Sequence, residues 1–260
     1  MTSKNVFFLV GLIPMLVFSC KNDPPASSTP LLIDKEGRNI QEGADCDKPD
    51  SLRLDCTVID LGWPKLTDAS EALKANVSTW SNAFTKSLLA MDPDAPAETI
   101  DDYVREFIEQ HRTFRAEAPD SPMGQWTAES SFEPLMNDGK YLTLKMDGYS
   151  FAGGAHGNPA GALATWNVAT GQQLTWDDLV TDKAQMLTLA EAAFRKTRPE
   201  LFEGEYPHVF DEIFPFKLPE SYGLVEKGIY FLYAHYEVGP YAIGSTEFVI
   251  PFEELGDLKK

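Results

Sequence analysis

Apolar and polar positions along this chain change rhythm several times, and each change marks an element. Leu52, Leu54, Cys56 and Val58 alternate with polar residues, with Asp60 on the same side, as a half-buried strand over Leu52 to Leu61 requires. Trp63-Pro64 is expected to stop it. Asp68 followed by Glu71 has the spacing of a capping box. Leu73, Val77, Trp80, Phe84 and Leu88 then recur at helical spacing until Pro93 and Pro96 break the pattern. Ile100, Val104, Phe107, His111 and Phe114 form a second helical stripe, closed by Pro119.

Beyond Pro119 the period shortens. Trp126 to Leu135 reads as a strand, Asn137-Asp138-Gly139 as a hairpin turn, and Tyr141 to Phe151 as the returning strand. Ala162 to Val168 is another strand with a turn at Thr170-Gly171, followed by a short strand over Leu174 to Val180. Met186 to Phe194 is helical in period, and Val209, Ile213 and Phe214 suggest a further short helix. The chain then reads as a meander: Gly223 to Val225, Ile229 to Tyr236 and Thr246 to Phe252, with turns at Lys227-Gly228 and Gly239-Pro240. No repeat of solenoid period is present. Antiparallel strands with helices set apart from them predict an α+β fold: a small strand-helix subdomain, then an antiparallel sheet with packed helices.

The amino terminus has a different texture. Val6 to Phe18 is apolar with only Gly11 and Pro14 interrupting it, and Lys4 precedes it. Such a run is short for a membrane span and suits a signal-peptide core. It ends in Val17-Phe18-Ser19-Cys20, which resembles the lipobox of bacterial lipoproteins, although Phe18 is bulkier than usual there. Residues 1–19 are therefore expected to be a lipoprotein signal peptide and Cys20 the lipid-accepting residue. The alternative is an ordinary signal peptide with an incidental cysteine. Lipid on Cys20 would anchor the chain stably to a bilayer. Residues 20–50, beginning Lys21-Asn22-Asp23-Pro24-Pro25, read as a lipidated tether. The export signal implies an extracytoplasmic location, and Lys21, which is not the aspartate of inner-membrane retention, favours an outer membrane, on its periplasmic or surface face.

Charge and cysteine usage narrow the partners. The chain has 260 residues, with 40 Asp and Glu against 22 Lys and Arg, a formal net charge of −18. That argues against nucleic acid, which needs a basic footprint. It admits a cationic partner, which such a surface attracts, or simple solubility. With Cys20 assigned to lipid, Cys46 and Cys56 remain, an even pair that reads as a disulfide in an oxidising compartment; two free thiols are the alternative.

Candidate chemistry is sparse. The histidines are His111, His156, His208 and His235, and none stands in a zinc-ligand spacing. There is no Gly-x-Ser-x-Gly elbow and no spare cysteine nucleophile. His111 lies on an apolar stripe and reads as a packed histidine; His208 follows a proline and reads as exposed. In Gly153-Gly154-Ala155-His156-Gly157 the glycines permit positive φ, and successive N–H groups there can cradle an anion beside His156. The bland reading is a tight turn. His235 and Glu237, two apart on an expected strand, would share a face and with His156 could bind a metal; the favoured expectation is no metal and no cofactor. Tyr236 and Tyr241 read first as packing residues, though a tyrosine-rich loop also suits protein contacts. The acidic groups Asp45-x-Asp47-x-x-Asp50 and Asp92-x-Asp94 lack the glycine and closing glutamate of a calcium loop and read as solvated surface.

Three ordered motifs carry a resemblance. Tyr149-Ser-Phe-Ala-Gly-Gly-Ala-His-Gly157, then Thr165-Trp-Asn-Val-Ala-Thr-Gly171 with Leu174 and Asp178-Leu179, then Tyr236-Glu-Val-Gly-Pro-Tyr-Ala-Ile-Gly244 leading to Val249-Ile-Pro251, resemble the extracytoplasmic domain shared by the anti-sigma factor RsiV and the peptidoglycan deacetylase PdaC. Trp63-Pro64 and the helix holding Asn76 resemble the smaller domain that precedes it. The resemblance implies a PdaC-type subdomain over 51–122 and an RsiV-like domain over 123–260. Neither a sigma-binding segment nor a deacetylase domain is recognisable. What it implies is a binding or sensing module, not an enzyme, with lysozyme, another cationic protein or peptidoglycan as partner. Candidate ligand-binding residues are Gly153, Gly154, His156, Gly157, Tyr236, Glu237 and Tyr241. The alternatives are a cell-wall hydrolase or deacetylase-like enzyme using the Gly-Gly-Ala-His-Gly loop, and a structural envelope lipoprotein.

Overall fold

The computed structural model describes residues 29–49, 52–91, 98–203, 210 and 212–260. The signal peptide, Cys20, Pro93, Pro96, His208 and Val209 lie outside the described residues.

Strand β1 (Ile33–Glu42) runs antiparallel to β2 (Thr57–Leu66), with Ile33 opposite Leu66 and Glu42 opposite Thr57. Cys46 and Cys56 form a disulfide across the connection between them. Two helices follow, α1 (Glu71–Leu89) and α2 (Ile100–Glu117). They carry the chain over one face so that β3 (Trp126–Asn137) returns parallel to β2. β4 (Tyr141–Phe151) and β5 (Asn158–Asn167) complete an antiparallel run, giving a five-stranded sheet in the order β1-β2-β3-β4-β5.

One face of this sheet is covered by α1 and α2. Their apolar stripes meet Ile59, Leu61 and Met146 through Phe84, Leu88, Val104 and Phe107, while Leu73 and Val77 reach Leu142, Leu144 and Trp166. Asn76 donates its amide to Gly171 O at 2.7 Å, tying α1 to the turn after β5. Gly171 is needed there: its φ is +72°, and a Cβ would lie 2.7 Å from Leu73 N.

On the other face, over β4 and β5, lies a three-stranded meander of β6 (Ser221–Val225), β7 (Gly228–Tyr233) and β8 (Thr246–Pro251). Two buried threonines join the sheets. Thr143 Oγ1 donates to Leu224 O at 2.6 Å, and Leu224 N donates to Thr165 Oγ1 at 2.9 Å. Gly223 lets the layers close, since a Cβ would stand 2.8 Å from Thr143 Cγ2. Between β5 and β6 come α3 (Trp176–Leu179) and α4 (Lys183–Thr197). Met186, Ala190 and Phe194 of α4 pack on Ile229, Phe231, Tyr233 and Ile250. A short α5 (Phe252–Leu255) follows β8. The fold is α+β, as the sequence predicts.

Several elements differ from expectation. The stretch 20–50, read wholly as tether, contains β1. The first core strand begins at Thr57 instead of Leu52 and runs through Trp63-Pro64 to Leu66. Proline is tolerated there because β2 pairs with β3 only through Leu61, so Pro64 has β1 alone as a strand neighbour. Ser70, not Asp68, caps α1, accepting from Leu73 N at 3.3 Å; Asp68 instead accepts from Leu32 N. The expected strand over Leu174–Val180 is α3, because Thr175 and Asp178 form a capping box. No helix is present among residues 210 and 212–214. The division expected at residue 122 coincides with no break in the sheet, since β2 and β3 are hydrogen-bonded neighbours.

Candidate functional site

Two loops that the sequence singles out meet at one end of β4. The first follows β4 directly. Gly153 and Gly154 have φ of +82° and +99°, which turns the chain sharply after Phe151. Gly154 N donates to Met123 Sδ at 3.4 Å, so this amide is directed at the α2–β3 connection and not at a free anion cradle. At Gly157 a Cβ would lie 2.1 Å from Tyr149 Oη, so only glycine allows the loop to settle on the Tyr149 ring.

The second loop lies between β7 and β8. Tyr241 Oη donates to Gly157 O at 2.9 Å, and His156 Nδ1 lies 2.8 Å from the same oxygen. A carbonyl oxygen only accepts, so His156 Nδ1 is the donor in this contact. The His156 and Tyr241 rings stack with centroids 3.9 Å apart. His235 lies 4.8 Å and Tyr236 5.7 Å from the Tyr241 ring. Burial, and then the neighbouring His156, hold the His235 imidazole below its usual pKa. Tyr236 is 54% exposed, with φ of +65°.

Glu237 is placed differently from the expectation. β7 ends at Tyr233, and residues 234–237 form a turn, so His235 and Glu237 share no strand face. Glu237 Oε1 accepts from Glu220 N and Oε2 from Ala234 N, each at 2.9 Å. Burial raises its pKa, against the pull of these amides. Its carboxylate is occupied in holding the turn. Among the described residues no three His, Cys, Asp or Glu side chains are grouped closely enough to hold a metal ion.

A residue that sequence reasoning missed fixes the far end of this loop. Arg198, at the C-terminus of α4, donates to Ile243 O at 2.9 Å and to Thr246 Oγ1 at 2.7 Å. Nothing in its local pattern marks it. His111 is a packed histidine: it is 2% exposed, hydrogen-bonded to Thr57 Oγ1 at 2.8 Å and stacked on Trp126. Asp45 pairs with Lys48 and accepts from Asp55 N, a turn contact and not a calcium loop.

Beside the paired loops an open groove of about 360 Å³ crosses the sheet face that the meander leaves bare. Asp60, Glu129 and Tyr149 stand in register on β2, β3 and β4. Asp147 and Gly148 join this groove to a smaller pocket of about 170 Å³ that reaches His235 and Glu247. Lys145 bridges Asp147 at 3.2 Å and Glu247 at 3.1 Å. Tyr230 donates to Glu247. Burial and that carboxylate push the Tyr230 hydroxyl up to about 12.

Comparison with known proteins places this architecture in a class. Residues 52–159 match the family described as "Deacetylase PdaC", and residues 177–253 match "Protein of unknown function (DUF3298)". The chain therefore carries a PdaC-type region followed by a region of the unknown-function family, as its motifs indicate. The PdaC-type match runs through β3 and β4, past residue 122. A DUF3298 family member from Bacteroides fragilis NCTC 9343 has 17% identity and a TM-score of 0.64, covering 90% of this chain and 96% of its own. A DUF3298 family protein from Pseudomonas aeruginosa PAO1 has 18% identity and a TM-score of 0.61 with the same coverages. At these identities the likeness is one of fold. No curated protein matches the sequence.

Proposed function

We propose that this chain is a non-catalytic binding or sensing module of the cell envelope, held at an outer membrane by lipid on Cys20, whose partner is a cationic protein such as lysozyme. One observation carries the reading: the Tyr241–Gly157 hydrogen bond locks two distant loops into one surface that displays Tyr236 and His156 beside an acidic groove. A preorganised surface of aromatic and polar groups suits protein recognition, because little ordering entropy remains to be lost on binding. The carboxylates of Asp60 and Glu129, which outnumber Lys35 in the groove, with the overall charge of −18, favour a positively charged partner.

The enzymatic alternative finds little support in the same geometry. Asp60 and Glu129 stand side by side on neighbouring strands of an open face, whereas glycoside hydrolysis needs carboxyls on opposite sides of the scissile bond. Glu237 spends both oxygens on backbone amides. The test is co-sedimentation of the chain from Lys21 onward with lysozyme and with purified peptidoglycan. Tyr236→Ala should weaken the lysozyme complex, and retention on peptidoglycan alone would replace the protein partner with a wall glycan.

A further inference from the structure

At the opposite end of β4, about 33 Å from the paired loops by strand rise, lies a second and chemically different site. A cavity of about 730 Å³ opens between the β3–β4 turn, α3 and the meander. Its floor is apolar, made by Met136, Leu224, Ile229 and Phe252. The volume is within the range of pockets that enclose small organic ligands.

Three lysines line its mouth: Lys140, Lys259 and Lys260. Lys140 Nζ lies 4.8 Å over the Tyr141 ring and Lys259 Nζ 3.9 Å over the Phe252 ring. Among the described residues neither ammonium has a hydrogen-bond acceptor or a carboxylate partner. Lys260 Nζ is given to Asp177 O. The mouth also holds the carboxylates of Asp138, Asp178 and Glu226, which keep their charge and balance the three ammonium groups, but two of them are turned onto local donors. Asp138 Oδ1 accepts from Lys140 N and Tyr141 N, and Asp178 Oδ2 accepts from Thr175 N and Oγ1. The unspent donors are thus ammonium groups above an apolar floor, in a chain that is otherwise strongly acidic.

We infer that this cavity binds a single-chain amphiphile, its apolar tail in the pocket and an anionic head on Lys140 and Lys259. Asn137 exchanges two hydrogen bonds with the backbone of Leu31, so the amino-terminal segment enters the fold beside this mouth. The ligand inference does not depend on lipid at Cys20, and its test uses protein without lipid.

The chain from Lys21 onward, which keeps the whole described core, is titrated calorimetrically with decanoate, decyl phosphate, decanol and inorganic phosphate, below micelle-forming concentrations. Decanoate, decyl phosphate or both should bind at least about tenfold more tightly than decanol, as a charge-assisted contact implies, and inorganic phosphate should not bind detectably. Lys140→Gln with Lys259→Gln, both at exposed positions, should bring the anions to the decanol level without moving the thermal midpoint. Equal binding of decanol, binding of phosphate alone, no binding of any probe, or an undiminished anion preference in the double variant would each overturn the inference.

Discussion

Tyr241 donates its hydroxyl to the carbonyl of Gly157 across 84 positions of sequence, and stacks on His156 as it does so. Tyr241→Phe keeps the ring and removes the hydrogen bond. It should cost about 0.5–1.5 kcal/mol of stability and raise the amide exchange rate of the loops more than that of the sheets. Urea unfolding together with hydrogen exchange checks this; unchanged loop exchange would show that the two loops are held by other contacts.

Cys46 and Cys56 close a short loop between the first two strands. Reduction, or Cys46→Ser with Cys56→Ser, should lower the unfolding free energy by about 2–3 kcal/mol. Mass spectrometry of non-reduced protein should find no alkylatable thiol at either position, and equal stability of the oxidised and reduced forms would contradict the role assigned to the bond.

His111 gives the fold an acid limit. Burial lowers its pKa, so the unfolded chain takes up its proton at a higher pH than the folded chain does. The contribution is complete above about 6.5, the unfolded value, and is lost as pH falls toward the depressed folded value. His235 shifts in the same direction. Unfolding free energies from pH 7 to pH 5 should therefore decline, with a shallower slope in His111→Gln, and equal slopes would count against a buried neutral imidazole.

Much of this was legible in the sequence because periodicity reports burial. Leu73, Val77, Phe84 and Leu88 are buried as their spacing requires, and so are Val104, Phe107 and His111. β1 was not legible: it is an edge strand carrying Asp34, Lys35, Glu36 and Arg38, and its polar surface hides the alternation. Both site loops could be picked out by their glycines and tyrosines, but their contact is long-range. Glu237 was misplaced because the end of β7 is set by the turn at 234–237, which interrupts an otherwise strand-like run. Arg198 reaches the Ile243 carbonyl and the Thr246 hydroxyl, 45 and 48 positions away, and no local pattern reports such partners.

Anchoring is tested by Cys20→Ser. The variant should lose lipid labelling and leave the membrane fraction or remain unprocessed, whereas unaltered fractionation and labelling would rule out attachment through this residue.

The central claim is recognition without turnover, and surface-plasmon measurement on the chain from Lys21 onward against lysozyme tests it most directly. Screening confines the field of the acidic surface to about 8 Å at physiological salt. The association rate should therefore fall as salt rises, while the dissociation rate changes little with salt and increases in Tyr236→Ala. Binding with that salt dependence, and no cleavage of lysozyme or peptidoglycan, is the predicted result; absence of binding at high micromolar lysozyme, or steady release of peptidoglycan fragments, would contradict it.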